Sequence, residues 1–331
     1  MTDVPLALKL RDIYTDIRDD IEAVENLLHQ IGKSQNRLIT EVNKYLFQKG
    51  GKRIRPAILI LSSRLCGYEG SDHIFWGALI EIIHTASLIH DDIVDNADTR
   101  RGQDTVHARW GPNITVLLGD FLYIQSIALA LRTKKYTIID ILADVTSQMI
   151  EGELIECSMR GKTDISEEVY LEILDKKTSS LFSASSEVGG ILADASPADK
   201  TRLREFGKTI GLAFQLVDDL LDFSGNKTML GKPVLSDVGE GRITLPLIYT
   251  LRQVKGAVRS EILKLIKNQK RDKGAAKRIL KLVAAGGGLE YARTRAMALT
   301  LKSKEILSGF SPSPTRESLS RIADLVLQRK I

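Results

Sequence analysis

The chain has 331 residues, 43% hydrophobic and 27% charged, which is typical of a folded protein and excludes a disordered one. Lys and Arg number 47 against 42 Asp and Glu, an excess too small and too evenly scattered to indicate nucleic-acid binding. Aromatic residues make up only 5%, which disfavours a surface that stacks bases.

Apolar residues recur at helical spacing almost from end to end. The pattern predicts an amphipathic first helix over 13–28. Further helices are predicted, in chain order, over 35–47, 56–66, 73–97, 112–131, 135–159, 166–193, 198–224, 243–253, 257–269, 275–285, 288–308 and 314–329. Glycine and proline separate them, and no alternating β-strand run, repeat or low-complexity linker is present. The sequence therefore predicts an all-α fold, with one large multi-helix bundle domain over residues 1–331.

The only two cysteines, Cys66 and Cys157, do not form a C-x-x-C pair. They predict neither a disulfide framework nor a cysteine zinc site, and they favour a cytoplasmic location. Residues 1–9 lack the pattern of a signal peptide. The most apolar stretch, 114–131, contains Asp120 and Gln125, so we interpret it as a buried helix and not as a membrane span.

Two aspartate clusters share one pattern, DDIVD at 91–95 and DDLLD at 218–222. Each ends an apolar helix, so its carboxylates lie on one face one turn apart, where like charges repel. Mg²⁺ favours such an arrangement, because it prefers oxygen ligands and shares one or two carboxylates with substrate phosphates. One copy could be a solvated acidic helix end. Chance predicts about 0.1 copies in this chain, so two copies indicate a metal–diphosphate site.

Basic residues accompany both clusters. Arg100 and Arg101 follow the first cluster, and guanidinium groups bind phosphate oxygens bidentately. Lys232 stands in a stiff Gly-Lys-Pro turn after the second. Near the N-terminus, GGKRIRP at 50–56 is a basic loop that opens a helix, where glycines and the helix dipole favour an anion. Alone, this loop is more often a plain solvated turn.

Several polar residues lie within apolar helices. His84 stands two turns before Asp91 on the same face, where a lone histidine is usually a core residue. Its spacing from Glu81 fits the Glu-x-x-His pattern of di-iron bundles, but no second copy exists, so that interpretation is disfavoured. For Lys177-Thr178 and Gln215, interior hydrogen bonding is an equally good explanation on the residues alone.

Together these motifs resemble the trans-isoprenyl diphosphate synthase (polyprenyl synthase) family, most of all its long-chain, octaprenyl- and solanesyl-type members. The match covers about residues 45–250. Besides the aspartate clusters it includes GKRIRP at 51–56, RRG at 100–102, GD at 119–120, GE at 152–153, KT at 177–178, FQLV at 214–217 and GKP at 231–233. The resemblance implies an isoprenoid synthase bundle around a central cavity. It also implies a prenyltransferase that joins isoprenyl diphosphates head to tail through an allylic carbocation.

The resemblance also implies the site residues. Mg²⁺, with three ions per active site, would be held by Asp91, Asp92, Asp95, Asp218, Asp219 and Asp222. The allylic diphosphate would be bound by Arg100, Lys177, Thr178, Gln215, Lys232 and Arg242, and isopentenyl diphosphate by Lys52, Arg55, His84 and Arg101. The Thr178 hydroxyl and the Gln215 carbonyl would stabilise the carbocation, and the released diphosphate would accept the proton. Arg242 stands where the family commonly has lysine.

Product length is predicted from the helix that carries Asp91. Ala86 and Ser87 are small. By the resemblance to the family, bulky aromatics at these two positions would block the cavity and stop the prenyl chain at fifteen carbons. One turn deeper, by about 5.4 Å, lie Ile83 and Ile82, which are moderate in size. They predict a product of about C30–C50, as used for quinone side chains. A geranylgeranyl (C20) product is the alternative, since Phe121 or Tyr123 on a neighbouring helix could form a floor.

Two other classes of function are weighed against this one. A catalytically silent regulatory subunit of a heteromeric synthase would be expected to lose aspartates or the basic loop, and this chain retains both. A terpene cyclase would not need an isopentenyl pocket.

The resemblance implies a homodimer. Neither nucleic acid nor a membrane span is predicted, and a transient membrane contact for product release is left open.

Overall fold

The computed structural model describes residues 12–48, 50–100, 102–223, 234–269 and 274–328. A 3₁₀ turn (Thr15–Ile17) leads into the first helix, and a π-helical turn (Asp175–Ser179) separates α8 from α9. The helices are α1 (Arg18–Ile31), α2 (Arg37–Phe47), α3 (Ile54–Leu65), α4 (Asp72–Val94), α5 (Val106–Trp110), α6 (Pro112–Arg132), α7 (Tyr136–Met159), α8 (Glu167–Leu174), α9 (Ser180–Leu192), α10 (Pro197–Asp222), α11 (Ser236–Gly239), α12 (Leu245–Gln253), α13 (Gly256–Asn268), α14 (Ala275–Ala285), α15 (Gly288–Ser308) and α16 (Pro314–Leu327).

The predicted all-α fold is confirmed, and most of the predicted helices occur in order with ends shifted by a few residues. The helix predicted over 166–193 is divided into α8, the π-helical turn and α9, and the short helices α5 and α11 were not predicted. Several begin at side-chain caps that satisfy free backbone N–H groups. Asn36 accepts from Leu38 N at 2.9 Å at the start of α2. Ser196, followed by Pro197 at the first helical position, accepts from Asp199 N at 3.1 Å at the start of α10. The extent of the single domain stays a prediction.

The segment after the first aspartate cluster also differs from the prediction. The helix predicted over 73–97 ends at Val94, because Asn96 takes the left-handed conformation (φ 49°). There Asn96 N bonds Ile93 O and Ala97 N bonds Asp92 O, the pattern of a Schellman cap. A short hairpin follows, Thr99–Arg100 antiparallel to Gln103–Asp104. Strands of two residues are too short to show alternation, so no sequence pattern predicts them.

The helix α9 lies at the centre of the core, packed against α3, α4 and α10. Its Leu181, Phe182 and Val188 have no exposed surface. Helix α10 approaches closely because Gly207 has no side chain: a Cβ there would lie 2.4 Å from the Phe182 carbonyl oxygen. The two helices that carry the aspartate clusters, α4 and α10, thus flank the same central helix.

The expectation that 114–131 is a buried helix is wrong for one face of α6. Within the described residues, α6 is the one helix long and apolar enough to cross a membrane, and 33% of its most apolar window is buried. Leu117, Ile124 and Leu131, seven residues apart, are 66%, 66% and 50% exposed. On the next helix, α7, Tyr136, Ile150 and Leu154 are exposed as well. We call these residues the α6–α7 apolar face; hydrophobic spacing cannot tell a face buried in the core from one left open.

Candidate active site

The first aspartate cluster lies at the C-terminal end of α4, surrounded by arginines. Asp92 is buried, and Arg100 Nε donates to its Oδ1 at 2.7 Å. Asp95 accepts from Arg160 Nη2 at 2.5 Å and from Arg242 Nη1 at 3.1 Å. The structure therefore brings Arg100 and Arg242 to this cluster. It adds Arg160, which the sequence did not single out.

The second cluster ends α10 and is held by neutral donors. Buried Asp219 accepts from the Tyr170 hydroxyl at 2.6 Å and from Gln215 Nε2 at 2.9 Å. Buried Asp222 accepts from the hydroxyl and the backbone N–H of Ser236 at 2.9 and 3.0 Å. These donors fix the orientation of both carboxylates without neutralising their charge.

A continuous series of contacts joins the two clusters. Arg242 bonds Asp95 through Nη1, and through Nη2 it bonds Asp237 at 2.7 Å and also contacts Glu240. Asp237 N in turn donates to Asp222 Oδ2 at 3.2 Å. The forked guanidinium can meet carboxylates on both sides at once, whereas a lysine ammonium is a single point charge. Arg242 therefore bridges two segments that lie far apart in the sequence.

Three aspartates of the two clusters, Asp91, Asp219 and Asp222, bind protons more tightly than ordinary aspartates. Burial raises the pKa of Asp91 to about 7; Glu153 and Asp95 raise it as well, against Lys177 and Arg100. Burial and Asp237 raise the pKa of Asp222 to about 6, and the same two causes raise that of Asp219. For Asp95, burial is outweighed by Arg242, Lys177 and Arg160, which lower its pKa.

This donor set fits a hard divalent cation. In the part of the chain that the structure describes, no three His, Cys, Asp or Glu side chains converge to form a metal cage. Magnesium does not need one, because it keeps waters and shares substrate phosphates. The raised pKa values of Asp91, Asp219 and Asp222 show that nearby cations do not fully compensate the burial of these three carboxylates. The aspartates could therefore hold metal ions whose coordination a diphosphate completes.

The raised pKa of Asp91 predicts a pH-dependent stability. Its folded-state pKa of about 7 lies above the ordinary value of 3.8, so the folded protein binds this proton more tightly. The ionised carboxylate therefore lowers stability increasingly as pH rises through that window. In buffer with EDTA, we expect Asp91→Asn to raise Tm by about 2–4 °C at pH 8. The gain should shrink towards zero at pH 4–5; calorimetric scans that show an equal gain at both pH values would contradict the assignment.

The helix predicted over 166–193 is broken by the π-helical turn, an irregularity that is frequent at functional sites. Within it, Lys177 Nζ bonds Glu156 Oε2 at 2.5 Å and also contacts Glu153. The neighbouring Thr178 hydroxyl donates to Gln215 Oε1 at 3.0 Å. The turn thus directs Lys177 towards α7 and Thr178 towards α10, and it brings together Thr178 and Gln215 as the resemblance implies.

Gly152 on α7 allows this turn to come close. A Cβ at Gly152 would lie 2.7 Å from Lys177 N and 3.0 Å from Lys176 Cβ. We expect Gly152→Ala to push the turn away and to raise KM for the predicted allylic substrate by about tenfold in steady-state kinetics. Gly77→Ala is the matched control, since a Cβ there meets Pro56 at an ordinary 3.4 Å. Equal kinetics for both variants would show that the turn tolerates displacement.

The residues predicted to bind isopentenyl diphosphate lie on two elements. Half-buried Lys52 precedes α3, and Arg55 in its first turn stacks its guanidinium 4.4 Å from the centre of the Phe182 ring. His84 is half-buried on α4. Two further predicted ligands lie outside the described residues: Arg101 and Lys232.

The residues predicted to set product length lie on α4. Ile82, Ile83 and Ala86 are buried, with 1%, 3% and 0% of their surface exposed. Ser87 is only half-buried, and its hydroxyl donates to the His84 carbonyl at 2.8 Å. Of the two small residues, Ser87 is therefore the one with open space beside it.

Sequence reasoning missed three residues at this site: Arg160, Tyr170 and Asp237. Arg160 follows a helix end, and Tyr170 has the spacing of an ordinary core residue. The one available signal was Asp237, an acidic residue five positions before Arg242 in a segment that the resemblance had already marked. None of the three could be placed without knowing which helices pack together.

Three comparisons with known proteins extend these observations. Residues 36–283 match the sequence profile described as polyprenyl synthetase. An octaprenyl diphosphate synthase of Escherichia coli (strain K12) is 35% identical over 322 residues, 97% of this chain and 99% of that protein. A decaprenyl diphosphate synthase from Rhodobacter capsulatus superposes with a TM-score of 0.92 at 33% identity, over 97% of this chain and 99% of the other. A polyprenyl synthase from Caulobacter crescentus CB15, complexed with calcium and isoprenyl diphosphate, gives 0.91 at 32% identity over 98% of each.

Proposed function

Since the chain belongs to the polyprenyl synthetase family, and is therefore a prenyltransferase, we propose that it elongates an allylic diphosphate with isopentenyl diphosphate, head to tail. The all-trans product would reach about C30–C50 and would serve as a quinone side chain. The contact series from Asp95 through Arg242 and Asp237 to Asp222 carries this proposal. It links two carboxylate clusters and their arginines into one site.

Magnesium ions, three per site, would be held by the six aspartates of the two clusters, and when bound they would neutralise charge on the departing diphosphate. The calcium and isoprenyl diphosphate in the Caulobacter crescentus structure support a divalent-metal site for this chain. The raised pKa values of Asp91 and Asp219 support it independently, since burial beside other carboxylates makes the ionised form of each unfavourable and a bound cation would relieve this.

Cationic side chains would hold the allylic diphosphate. Lys177, Arg100 and Arg242 each donate hydrogen bonds to carboxylates. When a diphosphate binds, its oxygens would replace these carboxylates as acceptors. Burial alone would lower the pKa of Lys177, but Glu156, Asp91 and Glu153 raise it. The ammonium group therefore stays charged at neutral pH and meets the leaving group without a proton transfer.

Fixed dipoles would stabilise the carbocation. Gln215 donates through Nε2 to Asp219 and accepts through Oε1 from Thr178, so its amide is held in one orientation. Phe214, the residue before Gln215 on α10, packs against Phe182 with ring centres 5.3 Å apart. Such apolar walls exclude water, which would otherwise quench the cation to an alcohol. No side chain is assigned as the base, and the released diphosphate is proposed to accept the proton.

A long product is supported by the small residues on α4 and by the octaprenyl and decaprenyl relatives. One observation favours the C20 alternative. The charge of Asp91 adds to burial in raising the pKa of Tyr123, so this ring lies near the first cluster. It also packs against His90 with centres 5.8 Å apart. A ring in that place could limit the growing chain.

We further propose a cytoplasmic homodimer. The α6–α7 apolar face supports it, because eight of the thirteen exposed large hydrophobics among the described residues lie on these two helices. Patches of that kind on soluble proteins usually mark an interface. A transient membrane contact during product release is part of the same proposal, since a long polyprenyl diphosphate is an amphiphile.

One assay tests the activity and its alternatives. The protein is incubated with Mg²⁺, farnesyl diphosphate and labelled isopentenyl diphosphate, and the dephosphorylated products are sized by reversed-phase chromatography. Label in products of about C30–C50 supports the proposal, and products that stop at C20 favour the alternative. Absence of incorporation at any protein concentration would instead favour a silent subunit or a terpene cyclase.

A further inference from the structure

A buried salt bridge holds the basic loop before α3, and none of the roles above uses it. Arg53 is 6% exposed, between α1 and α4. Its Nε and Nη2 donate to the two carboxylate oxygens of Glu25 at 2.7 Å each, and its Nη1 donates to Glu81 Oε1 at 2.7 Å. We call Arg53, Glu25 and Glu81 the Arg53 clamp. All three guanidinium nitrogens of Arg53 are bonded to these two carboxylates, and no phosphate-binding role is assigned to it.

The loop needs such a clamp because its backbone is unfavourable. Arg53 has φ 49°, in the left-handed region that residues with a Cβ rarely adopt. Strained residues of this kind persist where surrounding contacts determine them. The clamp is one such contact. Another is made by the Tyr14 hydroxyl, which donates to the Lys52 carbonyl at 3.0 Å.

The turn at Arg53 gives the basic residues of this segment different surroundings. Arg53 is buried in the clamp, whereas its neighbours Lys52 and Arg55 are half-buried. The clamp also contacts the helix of a third residue predicted to bind isopentenyl diphosphate, since Glu81 and His84 are three residues apart on α4 and therefore lie on one helical face. A single guanidinium thus fixes the loop relative to the helix of His84.

We propose that Arg53 is a positioning residue that sets the geometry of Lys52, Arg55 and His84 for isopentenyl diphosphate. This inference rests on the proposed function. It requires the fork of an arginine, since a lysine cannot bond both oxygens of Glu25 and also Glu81. Loss of the clamp would relax the loop at Arg53, displace Lys52 and Arg55, and leave the aspartate clusters in place.

Steady-state kinetics of Arg53→Gln test the proposal. We expect KM for isopentenyl diphosphate to rise by about tenfold or more, because small displacements of binding groups are costly. KM for the allylic diphosphate should stay within about twofold, since its ligands are on other elements. Arg53→Lys, which keeps the charge and part of the contacts, should fall between the wild type and Arg53→Gln.

Arg64→Gln is the matched control. Arg64 also ties α3 to the region of α1, through Asp20 Oδ2 at 2.5 Å and the Asp16 carbonyl at 2.6 Å, but at the far end of the helix. The Arg64→Gln variant should have a lower Tm and unchanged KM values for isopentenyl diphosphate and for the allylic diphosphate. If Arg53→Gln changes both KM values equally, or lowers only Tm as Arg64→Gln does, the clamp is merely structural and the proposal is wrong.

Two further measurements keep the test decisive. If Arg53→Gln does not fold, Glu25→Gln removes one acceptor charge, keeps Glu81, and should raise KM for isopentenyl diphosphate alone. Calorimetric titration with isopentenyl diphosphate does not depend on turnover. A wild type that binds it but incorporates none would contradict the proposed function, whereas equal Kd values for wild type and Arg53→Gln would contradict the clamp.

Discussion

Replacement of Asp91 or of Asp219 with alanine is expected to lower turnover by about three orders of magnitude or more while the helical fold is retained. Each residue ends a long helix, one in each cluster, and each has a raised pKa through burial among other carboxylates. Removal of a carboxylate from such a cluster relieves repulsion, so the folded protein should not be destabilised by lost charge. The site would lose a metal ligand.

The measurement is steady-state turnover with both diphosphate substrates and Mg²⁺ at saturation, with circular dichroism to verify helix content. Asp98→Ala is the matched control: its carboxylate is exposed just beyond the first cluster, and only its backbone carbonyl is used, by Thr105 N at 2.9 Å. That variant should keep activity close to wild type. Near-normal turnover of Asp91→Ala or Asp219→Ala would show that the aspartates do not hold the catalytic metals.

Ser87→Phe is expected to shorten the main product from about C30–C50 to about C15–C20, because a ring one turn below Asp91 would close the path of the growing chain. Ser87 is the suitable position since it is half-buried, with space beside it. Ala86 is fully buried, so a phenylalanine there would overpack the core and confuse product length with stability. The products of the wild type and of Ser87→Phe are sized after both enzymes have incorporated the same total amount of isopentenyl diphosphate.

A size series provides the control. Ser87→Thr should leave the product near wild-type length, and Ser87→Leu should give intermediate lengths. An unchanged product from Ser87→Phe would place the floor elsewhere. Tyr123 is the next position to vary, because its ring lies near Asp91 and against His90. In that case Tyr123→Ala should lengthen the product.

The sequence by itself determined the class of fold, the order of the helices and the family. Helical periodicity is a local property, repeated over many turns, and the breakers between helices are local as well. The two DDxxD clusters were equally visible, because residues three and four apart share a face on any helix. The roles of these aspartates, and of Lys52, Arg55 and His84, stay predictions.

Only the tertiary structure decided which distant groups meet. The bridge from Asp95 to Asp222 through Arg242 and Asp237 joins segments far apart in the chain, and no spacing rule relates them. The Arg53 clamp is of the same kind. In the sequence Arg53 is one of three similar cations in a loop, and only the packing of α1 and α4 separates it from Lys52 and Arg55.

Exposure was likewise decided by packing. The residues of the α6–α7 apolar face have the periodicity of a core helix, yet the fold leaves them open. The π-helical turn at Asp175–Ser179 is a second case, since the sequence there is that of an ordinary helix. Local patterns determine which elements form, whereas the partners of each side chain depend on contacts between elements, and those contacts have no local signature.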